Sequence, residues 1–119
     1  DPRGRRFREA LRRAEERLKA AAALPDDQEA RAAALAGEAL TGFLADKLDL
    51  PAAGLTQKSA LEGLKGLRKP PSSSALERLR EAWEEADLRR FAPGAAGDAR
   101  RFAAEVSALL KTLDQEAGR

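Results

Sequence analysis

The sequence predicts an all-α protein, a compact bundle of about five helices. Apolar residues recur at intervals of three and four through nearly the whole chain, and this spacing places them on one face of a helix. Strands are not predicted, because the chain has one Val and no Ile and no segment alternates apolar with polar residues. At 119 residues, the chain suits a single helical domain, 1–119, whose folding buries about two thirds of the unfolded surface.

Two long helices are predicted to form an antiparallel hairpin at the N-terminus. The first is expected over residues 3–23, and the second is expected to end at Leu48. The N-cap of the second helix is Asp26 or Asp27, with Glu29 as the capping-box partner. The positions expected to be buried in the hairpin are Phe7, Leu11, Ala14, Leu18, Ala21, Ala33, Ala36, Leu40, Phe43, Leu44 and Leu48.

Three shorter helices are predicted to complete the bundle. Thr56 is the expected N-cap of the third helix, and Asp98 is the expected N-cap of the fifth. The fourth helix is expected to begin at Ser74, which forms a capping box with Glu77. Residues 114–119 are expected to fray as a C-terminal tail.

The composition argues against an enzyme. The chain contains no His, Cys, Met or Tyr, so it has no imidazole base, no thiolate nucleophile and no soft metal ligand. Its 22 basic and 20 acidic residues are what a solvated helical surface of this size carries. We therefore predict no catalytic, cofactor-binding or metal-binding residues.

The N-terminal helix is strongly basic. Residues 1–19 contain eight basic and four acidic side chains, a local net charge of +4. Three interpretations stay open: an arginine cluster that binds nucleic acid, a segment next to an anionic membrane, or a solvated helix face with Glu partners. The candidate membrane-proximal residues are Arg3, Arg5, Arg6, Arg8, Arg12 and Arg13.

Binding to nucleic acid is the less favoured of these interpretations. A helix-turn-helix could be drawn from the third and fourth helices, but the connection between them contains Pro70 and Pro71 and is longer than the usual turn. The fourth helix also exposes acidic residues, which repel a phosphate backbone. These are Glu77, Glu81, Glu84 and Glu85.

The fourth helix ends with two arginines and an aromatic residue before a proline-glycine stop at residues 93–94. Arg89 and Arg90 are suited to the negative end of the helix dipole, and they are also the candidate contacts for a partner. Phe91 is predicted to be buried. The residues predicted to form the structural core are Phe43, Leu44, Leu48, Trp83, Phe91, Phe102 and Val106.

Three segments, in this order and spacing, resemble the C-terminal cytoplasmic region of the BatD family of aerotolerance proteins. They are Phe-Leu-Ala-Asp-Lys-Leu-Asp-Leu-Pro at residues 43–51, Leu-Thr at residues 55–56, and Asp-Leu-Arg-Arg-Phe-Ala-Pro-Gly at residues 87–94. The resemblance covers roughly residues 30–113. It departs from the family pattern at Ala86, where a Cys is often found, and at Arg89, where a small residue is usual.

The resemblance implies a larger, single-pass membrane protein with a secretory signal, periplasmic β-rich domains and one transmembrane helix. This domain would then lie on the cytoplasmic face of the bacterial inner membrane, with residues 1–24 as a basic juxtamembrane helix beside anionic lipid. The implied partners are von Willebrand A-domain membrane proteins and a MoxR-type AAA+ ATPase. The expected function is non-catalytic protein interaction in an aerotolerance or stress-related complex, and the alternative is a nucleic-acid-binding module.

Overall fold

A computed structural model describes residues 1–92 and 97–118, which form six α-helices and no strand. The helices are α1 (Pro2–Arg8), α2 (Ala10–Ala22), α3 (Glu29–Leu48), α4 (Gln57–Lys65), α5 (Ser73–Phe91) and α6 (Ala99–Glu116). The predicted all-α fold is therefore confirmed, with six helices in place of about five. The bundle measures 42 × 25 × 24 Å, and α3 lies at its centre because every other helix packs against it.

The additional helix arises because the first predicted helix is interrupted at Glu9. The backbone of Glu9 has φ −93° and ψ 1°, outside the range of a regular helix. Different contacts hold the two pieces: ion pairs of Arg6 fix α1 to the end of α3, whereas Ala14 and Leu18 hold α2 by apolar packing. Because the two pieces are held separately, α1 and α2 need not form one continuous helix.

The hairpin of α2 and α3 brings small side chains together. Ala14 on α2 and Ala36 on α3 are buried and belong to one core cluster. Gly42 also faces α2, because the Arg17 guanidinium lies where a Cβ at position 42 would be. The small residues therefore allow α2 and α3 to approach closely.

The core contains most of the residues predicted for it. Leu48 is partly buried against the core cluster. The predicted core residues that the structure buries are Phe43, Leu44, Trp83, Phe102 and Val106. Leu40, Leu64, Leu79 and Leu110 are fully buried among them. The exception is Phe91, which is exposed and is described with the candidate site below.

Two of the four predicted N-caps are confirmed. Thr56 caps α4 and forms a capping box with Ser59, and Asp98 caps α6 through its carboxylate. The prediction for α5 was wrong by two residues, because Ser72 rather than Ser74 accepts the hydrogen bond of the cap, from the backbone N–H of Ala75.

The predicted capping box of α3 was wrong. A 3₁₀ turn at Asp26–Gln28 precedes α3. The N-cap residue of α3 is therefore Gln28, and its side chain makes no capping hydrogen bond. The carboxylate of Glu29 accepts a hydrogen bond from the backbone N–H of Ala99 at 2.9 Å instead. Glu29 therefore satisfies a free amide in the first turn of α6 and ties the starts of the two helices together.

The predicted fraying of residues 114–119 was wrong for the part that the structure describes; Arg119 lies outside it. Helix α6 continues to Glu116, and Gly118 pairs with Lys69 through two backbone hydrogen bonds of 3.0 and 2.8 Å. The Glu116 carboxylate accepts the backbone N–H of Ser72 at 2.8 Å, which holds the pKa of Glu116 below its ordinary value. These contacts anchor the end of α6 to the loop before α5.

Candidate functional site

The end of α5 presents two large apolar side chains to solvent. Leu88 is 51% exposed and Phe91 is 80% exposed. They lie three residues apart, so they share one side of the helix. The buried residues Leu79 and Trp83 point to another side, toward the core. The prediction that Phe91 is core was therefore wrong, because its register on the helix follows Leu88 and not Leu79.

Arg90 lies beside this apolar pair on the surface. Its guanidinium donates a hydrogen bond to the Asp87 carboxylate at 2.7 Å and lies 5.5 Å from the centre of the Phe91 ring. The side chain of Arg90 is 65% exposed and that of Asp87 is 42% exposed. Such an exposed ion pair contributes less than about 1 kcal/mol to stability, so Arg90 is accessible to a partner at little cost.

Arg89 has the opposite environment, although it is the adjacent residue. Its side chain is 4% exposed, and its guanidinium donates hydrogen bonds of 3.0 Å to the carbonyls of Gly97 and Asp98. It also pairs with Glu85 and lies 4.9 Å from the centre of the Phe102 ring. Arg89 thus fixes the end of α5 to the start of α6, and its prediction as a partner contact was wrong. Because adjacent residues of a helix point about 100° apart, Arg89 points into the molecule while Arg90 points to solvent.

Two grooves flank the end of α5. One, of about 440 Å³, runs toward the start of α4, where Leu55, Thr56, Gln57 and Lys58 line it. The other, of about 370 Å³, lies between α3 and α5 over Ala33, Gly37 and Leu40. Three residues line both grooves: Trp83, Asp87 and Arg90. We call Asp87, Leu88, Arg90 and Phe91 the α5-end surface; the buried Trp83 lines the grooves beside it.

Leu88 was not predicted to be part of this surface. It lies four residues after Glu84 and seven after Glu81, on the side of α5 that was predicted to expose acidic residues. That register was the available signal that Leu88 and Phe91 point to solvent.

Two of the four basic side chains of α1, those of Arg3 and Arg6, pair with carboxylates at the C-terminal end of α3. Arg6 donates to Asp46 at 2.8 Å, to Asp49 at 3.1 Å and to the carbonyl of Leu50 at 2.6 Å. The hydrogen bond that Arg6 donates to the Asp46 carboxylate raises the pKa of the Arg6 guanidinium. Arg3 pairs with Asp49 at 3.2 Å. These contacts hold α1 on the C-terminal end of α3.

The remaining predicted membrane-proximal arginines divide into two groups. Arg12 and Arg13 both pair with Glu9, at 3.1 and 3.2 Å. Arg5 and Arg8 are exposed and take no part in the ion pairs found across residues 1–92 and 97–118. Four of the six candidates are therefore balanced by carboxylates, and the positive charge available at the N-terminus is smaller than the sequence suggests.

A buried lysine joins three helices below α1. The Lys47 side chain is 2% exposed, and its ammonium pairs with Asp114 of α6 at 2.7 Å. The same ammonium lies 3.8 Å from the centre of the Phe7 ring and 5.6 Å from that of Phe43. A buried charge requires such compensation, so Lys47 acts as a structural link between α1, α3 and α6.

Neither a metal site nor a membrane-spanning helix is found in the part of the chain that the structure describes. No group of three or more acidic side chains there is placed to hold a metal ion. None of the helices at residues 1–92 and 97–118 has the length and apolar character that crossing a membrane requires. Comparisons with protein-family models, with curated proteins and with solved structures found no match to this chain.

Proposed function

We propose that the chain is a non-catalytic protein-interaction domain whose partner binds the α5-end surface. The observation that carries this proposal is the exposure of Phe91, at 80%, next to Leu88, at 51%. Adjacent apolar side chains at the surface of a small protein are typical of an interaction site. Arg90 stands beside them, and exposed aromatic and Arg residues supply much of the binding energy at protein interfaces.

The resemblance to the BatD family supports a more specific proposal. The domain would act on the cytoplasmic face of the bacterial inner membrane, as part of a single-pass membrane protein in an aerotolerance or stress-related complex. Its partners would be von Willebrand A-domain membrane proteins and a MoxR-type AAA+ ATPase. Four residues of the segment at 87–94 that carries part of the resemblance belong to the α5-end surface: Asp87, Leu88, Arg90 and Phe91. Arg5 and Arg8 would face anionic lipid.

The ion pairs of Arg6 argue against the alternative of nucleic-acid binding. The Arg6 side chain is 29% exposed and pairs with Asp46, which is 14% exposed, so releasing Arg6 to bind a phosphate would break a partly buried contact. Binding of this kind would appear as affinity for duplex DNA at low salt that falls steeply as salt is raised.

The test is binding of the purified chain to purified von Willebrand A-domain proteins and to the MoxR-type ATPase. Phe91→Ala is expected to weaken binding by at least about 2 kcal/mol, the effect of losing a central aromatic contact. Leu50→Ala is the matched control, since Leu50 is the other large apolar residue exposed in the described chain, at 37%. The proposal fails if no partner binds, or if both variants weaken binding equally.

A further inference from the structure

The α5-end surface continues along α5 as a stripe of acidic side chains. Glu77, Glu81, Glu84, Leu88 and Phe91 follow one another at intervals of four, three, four and three residues, and all five are exposed. This spacing places them on one face of the helix. The exposed face of α5 is therefore acidic over its first turns and apolar at its end.

The acidic part of the stripe keeps an excess of negative charge. Two basic residues of α5 lie near it. The Arg80 guanidinium pairs with Glu77 at 2.7 Å and with Glu84 at 3.6 Å, whereas Arg78, three residues before Glu81, hydrogen-bonds to Thr112 of α6. The contact with Arg80 holds the pKa of Glu77 below its ordinary value. Glu81 is in no ion pair among residues 1–92 and 97–118. The three carboxylates thus share one ion-paired guanidinium.

We propose that the occupant of this face is an amphipathic helix of a partner protein. Its apolar residues would contact Leu88 and Phe91, and its basic residues would pair with the acidic stripe. The inference rests on the proposed function and specifies its partner. Glu81 and Leu88 are separated by seven residues, which is two turns or about 10 Å of helix. The basic and apolar groups of the partner helix must have the same separation to meet both at once.

Charge complementarity distinguishes this occupant from others. An anionic lipid surface or a nucleic acid would bring negative charge against Glu77, Glu81 and Glu84 and be repelled. A partner helix with an acidic polar face would be repelled in the same way. A basic helix gains from the same three carboxylates.

The probes are two synthetic helical peptides with the same apolar positions, one carrying Lys and the other Glu two turns away. Trp83 is the single Trp of the chain and lines a groove with Phe91, so its fluorescence reports binding at this surface. The Lys peptide is expected to bind, with an affinity that falls as salt screens the charges, and the Glu peptide is expected not to bind.

Substitutions separate the acidic stripe from general electrostatics. Glu81→Lys is expected to lower the affinity for the Lys peptide by about tenfold or more, because it places like charges next to each other. Glu15→Lys makes the same change in net charge on α2, which packs against α3 and α6, and is expected to leave the affinity unchanged. Phe91→Ala is expected to abolish binding of the peptide.

The inference is overturned if the Lys peptide does not bind, if the Glu peptide binds equally well, or if Glu81→Lys and Glu15→Lys have the same effect. Repeating the measurement with the intact partner separates this failure from failure of the proposed function. An intact partner that is sensitive to Phe91→Ala but not to Glu81→Lys supports the α5-end surface and overturns the basic helix. An intact partner that does not bind the unmodified chain overturns both.

Discussion

The Arg-rich N-terminus and the end of α5 both differ from what the sequence suggests, and they differ in opposite ways. At the N-terminus, arginines that suggest a charged surface are largely paired with carboxylates, as Arg6 is with Asp46 and Asp49. At the end of α5, an aromatic residue that suggests core is 80% exposed. The arginines are thus largely paired with carboxylates of the same chain, whereas the apolar side chains at the end of α5 are exposed to solvent.

This difference teaches where a binding surface should be sought in an Arg-rich helical protein. Exposed ion pairs form readily and cost little, so a high density of arginine does not by itself indicate a ligand. Exposed Leu88 and Phe91 leave apolar area in water, which costs about 25 cal/mol per Å² relative to burial. A partner that covers this area recovers that free energy.

The buried contact beneath α1 should show the largest effect on stability. Asp114→Ala leaves the Lys47 ammonium buried without its carboxylate, and we expect a loss of about 3 to 5 kcal/mol in the free energy of unfolding. Lys47→Met removes the buried charge and keeps the volume, and the Asp114 carboxylate that it leaves is 30% exposed and can be hydrated, so the loss should be smaller than for Asp114→Ala. Urea denaturation measures both. Equal effects from the two variants would contradict the assignment of Lys47 as a charge that depends on Asp114.

Substitution of the two adjacent arginines of α5 should have effects on stability that differ from each other, and the larger of them is intermediate in size. Arg89→Ala removes the hydrogen bonds to the carbonyls of Gly97 and Asp98, and we expect a loss of about 2 to 3 kcal/mol. Arg90→Ala removes an exposed ion pair and should cost less than about 1 kcal/mol. Thermal unfolding of both variants tests the contrast, which would be broken if Arg90→Ala were the more destabilising change.

At the N-terminus, the effect should be smaller still. Arg6→Ala loses the contacts to Asp46, Asp49 and the carbonyl of Leu50. We expect a loss of about 1 to 2 kcal/mol, since the Arg6 side chain is 29% exposed and its pairs are partly screened by solvent. Arg5→Ala is the control and should change stability by less than about 0.5 kcal/mol. Equal losses from the two variants would remove the distinction between docked and free arginines.

The sequence predicted those features that depend on neighbouring residues. The all-α fold follows from helical spacing, and the caps of α4 and α6 follow from Thr56 and Asp98 next to an apolar run. Burial of Phe43, Trp83 and Phe102 follows from their positions on apolar stripes. Such features are decided within one or two turns of helix.

The features that the sequence did not predict depend on contacts between distant residues. Glu29 looked like a capping-box partner within its own helix, but its carboxylate binds the amide of Ala99, 70 residues away. Phe91 and Arg89 exchanged their expected roles because the packing of α6 decides which side of the last turn of α5 is covered. The register of Glu84 and Leu88 was a local signal for the exposure of Phe91, but no local pattern records the contacts of Arg89 with the start of α6.

The most direct test of the account is Phe91→Ala, measured for both stability and partner binding. We predict that the free energy of unfolding changes by less than about 0.5 kcal/mol, as for an exposed position. Phe102→Ala, in the core, should cost about 3 to 5 kcal/mol and serves as the reference. Binding to the partner should be lost in Phe91→Ala at unchanged stability. A Phe91→Ala protein that is destabilised by several kcal/mol, or that binds its partner normally, would contradict the central claim.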